Sequence, residues 1–316
     1  MRIITFSLTP NGGPRPGLWL DDGGVLDLQR AFHLAVASGT LQAPPDMADA
    51  FTSVHGIIAH GHTAQRVLFW MATAARSIAM AAARVAREDI RLLAPIPRPA
   101  KNVFCVGRNY VDHVKEGYVA QGLTVKLPEH IQLFSKPPTT VIGPGAAIPY
   151  DAKITQKLDY EVELAVVIGK SGINISEADA YDHIFGYTII NDISARDLQR
   201  RHDQWFKGKG LDGSCPMGPW IVTADQIPDP QDLALSLSVN GTIRQQARTS
   251  QMIFPIRRII ADLSRGMTLE AGDVIATGTP SGVGYAMDPP GLLAPGDVVE
   301  CEIEHIGTLV NPVIAV

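Results

Sequence analysis

The sequence has little cysteine. Its three residues, Cys105, Cys215 and Cys301, are scattered with no C-x-x-C spacing, which argues against a disulfide framework and against a thiolate zinc site. Cys215 lies inside a motif, but it reads as a buried, inert thiol. Long apolar runs are also missing. The most apolar helical tract, residues 67–85, is broken by Arg76 and Ser77 and is rich in alanine, so it is expected to pack or lie amphipathic, not to span a bilayer. The opening Met1-Arg2-Ile3-Ile4-Thr5-Phe6 reads as a strand and lacks the long apolar region and small-residue cleavage site of a signal peptide. A reducing cytoplasm is the expected location. No basic run tracks phosphates, and the formal charge of −5 is mild. Neither nucleic acid nor a membrane is therefore an expected partner.

What is present suffices for one large core or two domains, in 316 residues. Residues 1–95 read as a small N-terminal α+β domain. Three short strands form a meander across the turn residues Asn11-Gly12-Gly13 and Asp21-Asp22-Gly23-Gly24. Helical periodicity follows over residues 28–37, 45–59 and 63–86. Pro95-Ile96-Pro97-Arg98-Pro99 is a semi-rigid linker, and residues 96–316 form the second domain. There Asn109 is placed to cap a helix over residues 110–116, and a second short helix is expected over 176–181. Strand patterns dominate from Leu233 onward, with Asn240-Gly241 as a hairpin turn. Many short strands with few helices give a mostly β, α+β fold, closed or sandwiched and not doubly wound.

The chain is organised around residues 158–192. Leu158-Asp159-Tyr160-Glu161-Val162-Glu163-Leu164-Ala165-Val166-Val167-Ile168 alternates. A strand would put Glu161 and Glu163 on one face and Val162, Leu164, Val166 and Ile168 on the other. A second run, Gly186-Tyr187-Thr188-Ile189-Ile190-Asn191-Asp192, ends in a third carboxylate. Were the two strands adjacent, three carboxylates would meet and require a proton or a cation. All-oxygen ligands suit Mg²⁺, Mn²⁺ or Ca²⁺ better than zinc. The same alternation also describes the wet face of a half-buried strand.

This stretch stands between Gly107-Arg108-Asn109-Tyr110 and Gly278-Thr279-Pro280-Ser281-Gly282-Val283-Gly284. In that order the three motifs resemble the fumarylacetoacetate hydrolase family, from about Lys101 to the C-terminus. The resemblance implies a mixed β roll or barrel with a metal site at its mouth, held by Glu161, Glu163 and Asp192. It further implies a His113–Glu116 pair on a mobile lid, with His113 as base and Glu116 orienting it. Lys209, Arg196, Gln199 and Thr279 match family positions that bind substrate oxygens and developing charge. Asp112 fits the spelling of a further metal carboxylate found in longer relatives. The glycine-rich loop lacks a Walker lysine, so it is no nucleotide site, but its amides are placed to cradle a carboxylate. Trp205 and Tyr118 are the aromatic candidates for shaping a distal pocket.

The function so implied is a divalent-metal-dependent hydrolase that cleaves a C–C bond in a β-diketo or acylpyruvate-type 2-oxo acid. The alternative at the same site is isomerisation or decarboxylation of an unsaturated 2-hydroxy or 2-oxo dicarboxylate from aromatic catabolism. A silent 2-oxo acid binder is the rival from another class. Family likeness and the abundance of strand edges imply a homodimer.

Overall fold

The computed structural model of the chain describes residues 1–9, 12–44 and 46–316. Strands Arg2–Ser7, Arg15–Trp19 and Val25–Asp27 pair antiparallel in succession, as the turn residues predict. Asn11, assigned to the first turn, lies outside the described residues. Helix Leu28–Ala37 follows at once. Asp27 caps it by accepting from the Arg30 amide at 3.1 Å, satisfying one of the N–H groups that a helix start leaves open.

The helix expected over 45–59 is instead two short ones, Met47–Ala50 and Val54–Ala59. Ser53 creates the second start by accepting from the Gly56 amide; Pro45 lies outside the described residues. The tract over 63–86 is helical only across Gly61–Ala74 and resumes as a 3-10 turn at Ile78–Ala83, with Arg76 and Ser77 in the break. Among the described residues no helix is long and apolar enough to cross a membrane.

Among the described residues the main sheet has twelve strands. Beyond the N-terminal meander its spatial order is Arg2–Ser7, Cys215–Thr223, Ile184–Asn191, Val162–Ile168, Val274–Ala276, Val103–Gly107 and Gln132–Lys136. The segments on either side of the proline linker thus share one sheet, with Arg2 and Ile3 opposite Val222 and Ile221. They also share an apolar cluster, in which Ile3, Phe32 and Leu68 join Val103, Ala165 and Met217. A second sheet of five strands orders Thr242–Arg248, Ala234–Val239, Val298–Ile303, Gly307–Ala315 and Ile148–Tyr150. The architecture is α+β, with mixed sheets surrounding the acidic strand.

That strand, Val162–Ile168, is covered on both faces. Val162, Leu164, Val166 and Ile168 pack with Leu235, Leu237, Val299 and Ile303 of the five-stranded sheet. Ala165 and Val167 pack with the N-terminal helices. Glu161 and Glu163 continue the face of Ala165 and Val167 by the period of two, yet they are only 4% and 1% exposed. The wet-face reading therefore fails.

Two local expectations are corrected. Asn109 does not cap the helix, which runs Val111–Val119 behind Tyr110 with no side-chain cap. Its amide group donates to the Thr277 and Phe254 carbonyls, and its side-chain oxygen accepts from the Phe254 amide. Residues 176–181 are not a helix. Ser176 and Asp179 close a turn through their side chains, and a 3-10 turn, Ala180–His183, follows. In both places the polar side chain finds partners that compete with the helical role.

Candidate active site

Antiparallel pairing assembles the carboxylates. Val162 stands opposite Asn191, so Glu161 stands opposite Asp192, whose amide donates to the Glu161 carbonyl at 2.8 Å. Directly opposed residues project to the same face, and Glu163 lies two residues along that face. One oxygen from each of Glu161, Glu163 and Asp192 falls within 4.8 Å of the others, and all three side chains are buried.

Cations surround the cluster. Lys209 Nζ donates to Glu161 Oε2 at 2.8 Å and to Asp192 Oδ2 at 2.6 Å. Arg196 Nε donates to Asp159 Oδ2 at 2.9 Å, and its Nη2 lies 2.7 Å from Glu161 Oε1. Burial opposes the charges of Glu161 and Lys209. It is outweighed for Glu161 by Lys209 and Arg196, which hold the carboxyl below its usual range. It is outweighed for Lys209 by Asp192 and Glu161, which raise the ammonium pKa.

Glu163 differs from its neighbours. Its hydrogen bond comes from the Gly278 amide at 2.7 Å, and burial together with Asp192 and Glu161 pushes its pKa well above the ordinary value. A buried, all-oxygen cluster with one under-compensated carboxylate fits a hard divalent cation. Glu161, Glu163 and Asp192 would hold it.

The short helix carries His113 and Glu116 on one face, three residues apart. His113 Nδ1 meets Glu116 Oε1 at 2.8 Å, and Glu116 Oε2 accepts from the Gly282 amide at 2.8 Å. With Nδ1 held by the carboxylate, Nε2 is the ring nitrogen left for proton transfer. A cavity of about 430 Å³ is lined by His113, Glu161, Glu163, Arg196, Lys209 and Thr279, among others. Gln199 lines it too, and accepts from Arg196 Nη1 at 3.2 Å. Trp205 and Tyr118 form part of the same wall. Asp112 takes no part, because it is exposed and paired with Lys115 at 3.0 Å.

The glycine-rich loop cradles carboxylates, but they belong to the chain itself. Gly278 serves Glu163, Gly282 serves Glu116, and Gly284 with Tyr285 serves Asp159. Thr279 is 3% exposed, and its hydroxyl accepts from Gln245 Nε2 at 2.8 Å. Cys215 is buried, and burial lifts its thiol to about 12.

Three buried residues around the site were missed in the sequence. Lys136 donates to Asp192 Oδ1 at 2.7 Å and also to the Ile193 and Lys209 carbonyls. Asp159 gathers Arg196 and the loop amides. Gln245 ties the Val162 amide to Thr279 and Pro280. The available signal was a charged or polar residue inside an apolar strand, as in Leu133-Phe134-Ser135-Lys136.

The fumarylacetoacetate (FAA) hydrolase C-terminal family profile matches residues 102–314. The chain is 46% identical over 301 residues to the oxaloacetate tautomerase YisK of Bacillus subtilis, covering 94% of this chain and 95% of that protein. The solved structure of a fumarylacetoacetate hydrolase from Exiguobacterium antarcticum superposes with a TM-score of 0.79 at 39% identity, over 100% of both chains. Maleylpyruvate hydrolase from Sphingobium sp. SYK-6, solved with manganese(II) and pyruvate, superposes with a TM-score of 0.73 at 28% identity, over 100% of this chain and 99% of that one.

Proposed function

Because the chain belongs to the fumarylacetoacetate hydrolase family, we propose that it is a divalent-metal-dependent enzyme interconverting the keto and enol forms of a 2-oxo acid of the oxaloacetate class. One observation carries this reading. The Glu116-held imidazole of His113 and the buried carboxylates Glu161 and Glu163 face the same cavity. A proton-moving group opposite a cation site is what enolisation requires. The tautomerase activity named for the Bacillus subtilis relative supports the choice.

Glu161, Glu163 and Asp192 would hold Mg²⁺ or Mn²⁺, or the larger Ca²⁺, and the ion would supply Lewis acidity to a 2-oxo acid. That the Sphingobium hydrolase was solved with manganese(II) supports a divalent metal in this chain. The chain's own residues do the rest. His113 Nε2 takes a proton from carbon 3 and returns it to the carbonyl oxygen, so no water is consumed. Glu116 fixes the imidazole. Lys209 places a buried positive charge beside the developing negative one. Arg196, Gln199 and Thr279 orient the carboxylate end of the substrate.

Hydrolysis of a C–C bond in a longer diketo acid is the second reading. The cavity favours it in one respect, because its volume of about 430 Å³ leaves room for an acid longer than oxaloacetate. Loss of enol absorbance from freshly dissolved enol-oxaloacetate, with Mn²⁺ present, tests the first reading. Acceleration that a chelator abolishes is expected. Pyruvate release from 2,4-diketo acids without any effect on the enol would replace tautomerase by hydrolase, and neither activity would leave a silent binder.

A further inference from the structure

Two guanidinium groups line the cavity without a carboxylate partner among the described residues: Arg108 and Arg200. The other two cations there, Arg196 and Lys209, are paired with Asp159, Glu161 and Asp192. Asp203 also lines the cavity but forms no ion pair with either free arginine. Arg200 is exposed and lies over the Tyr285 ring at 5.0 Å. Arg108 is half-buried, and its surroundings are built around it.

The Arg108 backbone is left-handed, with φ of 55°, a conformation that a residue with a Cβ adopts only when neighbours impose it. Asn109 imposes it, anchored to Phe254 and Thr277 through its side chain. On the other side stands Gly107, where a Cβ would run into the Trp205 ring. Glycine there lets Trp205 lie against the end of the strand. Trp205 and Tyr118 then flank the guanidinium, with ring centroids 5.6 Å and 5.3 Å from its central carbon. A cation–π contact attracts a guanidinium to a ring while leaving its N–H groups free to bond elsewhere. Among the described residues only one of them meets a protein acceptor, the Tyr118 hydroxyl at a long 3.5 Å. The result is a half-buried cation beside two rings, lining this cavity and a neighbouring one near Ile131, with most of its donors unused by the protein among the described residues.

We infer that Arg108 binds the second carboxylate of the substrate, on the Trp205–Tyr118 side of the cavity, and so selects dicarboxylates over monocarboxylates. The inference rests on reading the cavity as a 2-oxo acid site. A rim arginine merely solvated at the surface has no use for a left-handed backbone or for a tryptophan platform admitted by glycine.

The test is equilibrium binding to the Mn²⁺-loaded protein, by calorimetry, of malate and of lactate. Malate is an unreactive 2-hydroxy analogue of oxaloacetate, and lactate lacks the distal carboxylate. The wild type is expected to bind malate about tenfold to a hundredfold more tightly than lactate. Arg108→Gln should lose most of that advantage while its lactate affinity stays unchanged, which also certifies that the site has folded. Arg108→Lys should recover part of it, and Arg200→Gln should keep it. Equal wild-type affinities would overturn the assignment. So would equal weakening of both ligands in Arg108→Gln, or a loss that follows Arg200 instead. No turnover enters this measurement. A contrast that survives without oxaloacetate tautomerisation leaves Arg108 standing and sinks only the reaction proposed above; a lost contrast with tautomerisation intact does the reverse.

Discussion

The Gly282 amide donates to Glu116 Oε2 at 2.8 Å, joining two segments 166 residues apart. The other oxygen of Glu116 holds His113. The glycine-rich loop and the short helix therefore act on the same imidazole. Gly282 has φ of 106°, and a Cβ there would strike the Arg244 carbonyl.

Gly282→Ala should consequently misplace the loop amide. The left-handed backbone alone costs a residue with a Cβ about 1–2 kcal/mol, so the thermal midpoint should fall by several degrees. The kcat should drop toward that of Glu116→Ala, with Mn²⁺ affinity unchanged. A wild-type kcat in Gly282→Ala would show that the amide does not orient the dyad.

His113→Ala should lower kcat by about 10²–10⁴-fold, the contribution of a positioned general base. Metal affinity should stay near that of the wild type, since no ligand is altered. Glu116→Ala should be milder, because the imidazole remains and only its orientation is lost. Steady-state rates paired with Mn²⁺ titrations check both statements. Undiminished turnover in His113→Ala would reduce the pair to an ordinary helix-face contact.

Chelation should abolish activity, and Mg²⁺ or Mn²⁺ should restore it. Glu163→Ala should bind Mn²⁺ far more weakly than the wild type, measured by calorimetry, because it removes the one cluster carboxylate without a cationic partner. Full turnover after exhaustive chelation would exclude the Lewis-acid role.

Lys136 and Asp192 are both fully buried and 2.7 Å apart. Lys136→Met would strand Asp192 Oδ1 and take this donor from the Ile193 carbonyl, while the Lys209 carbonyl keeps the Ser214 hydroxyl. Removing one partner of a buried ion pair typically costs about 3–5 kcal/mol, so denaturant unfolding should shift by that order. A shift below about 1 kcal/mol would mean that water or a neighbouring cation replaces the ammonium.

The strand Thr242–Arg248 forms an edge of the five-stranded sheet and leaves Ile243 61% exposed. Leu133, on the edge strand of the main sheet, is 49% exposed. Exposed edges favour pairing with another chain, and a homodimer is the expected state. Sedimentation at micromolar concentration checks this, and a monomer throughout would refute it.

The sequence alone determined whatever depends on local periodicity. Two glutamates two apart in a strand share a face, and a histidine and a glutamate three apart on a helix do the same. Paired turn glycines placed the N-terminal meander, and the motif order carried the family.

Tertiary structure decided everything that depends on what covers a face. The alternation around Glu161 and Glu163 is identical for a wet strand and a buried one; only the N-terminal helices and the five-stranded sheet make it buried. Asn109 spells a helix cap, but the Phe254 and Thr277 backbone, more than a hundred residues away, competes for it and wins. Lys136, Asp159 and Gln245 carry no periodic motif, at most a polar residue set among apolar ones, as in Leu133-Phe134-Ser135-Lys136. They belong to the site because burial obliges each polar group to find a partner, and only the assembled sheets put those partners within reach.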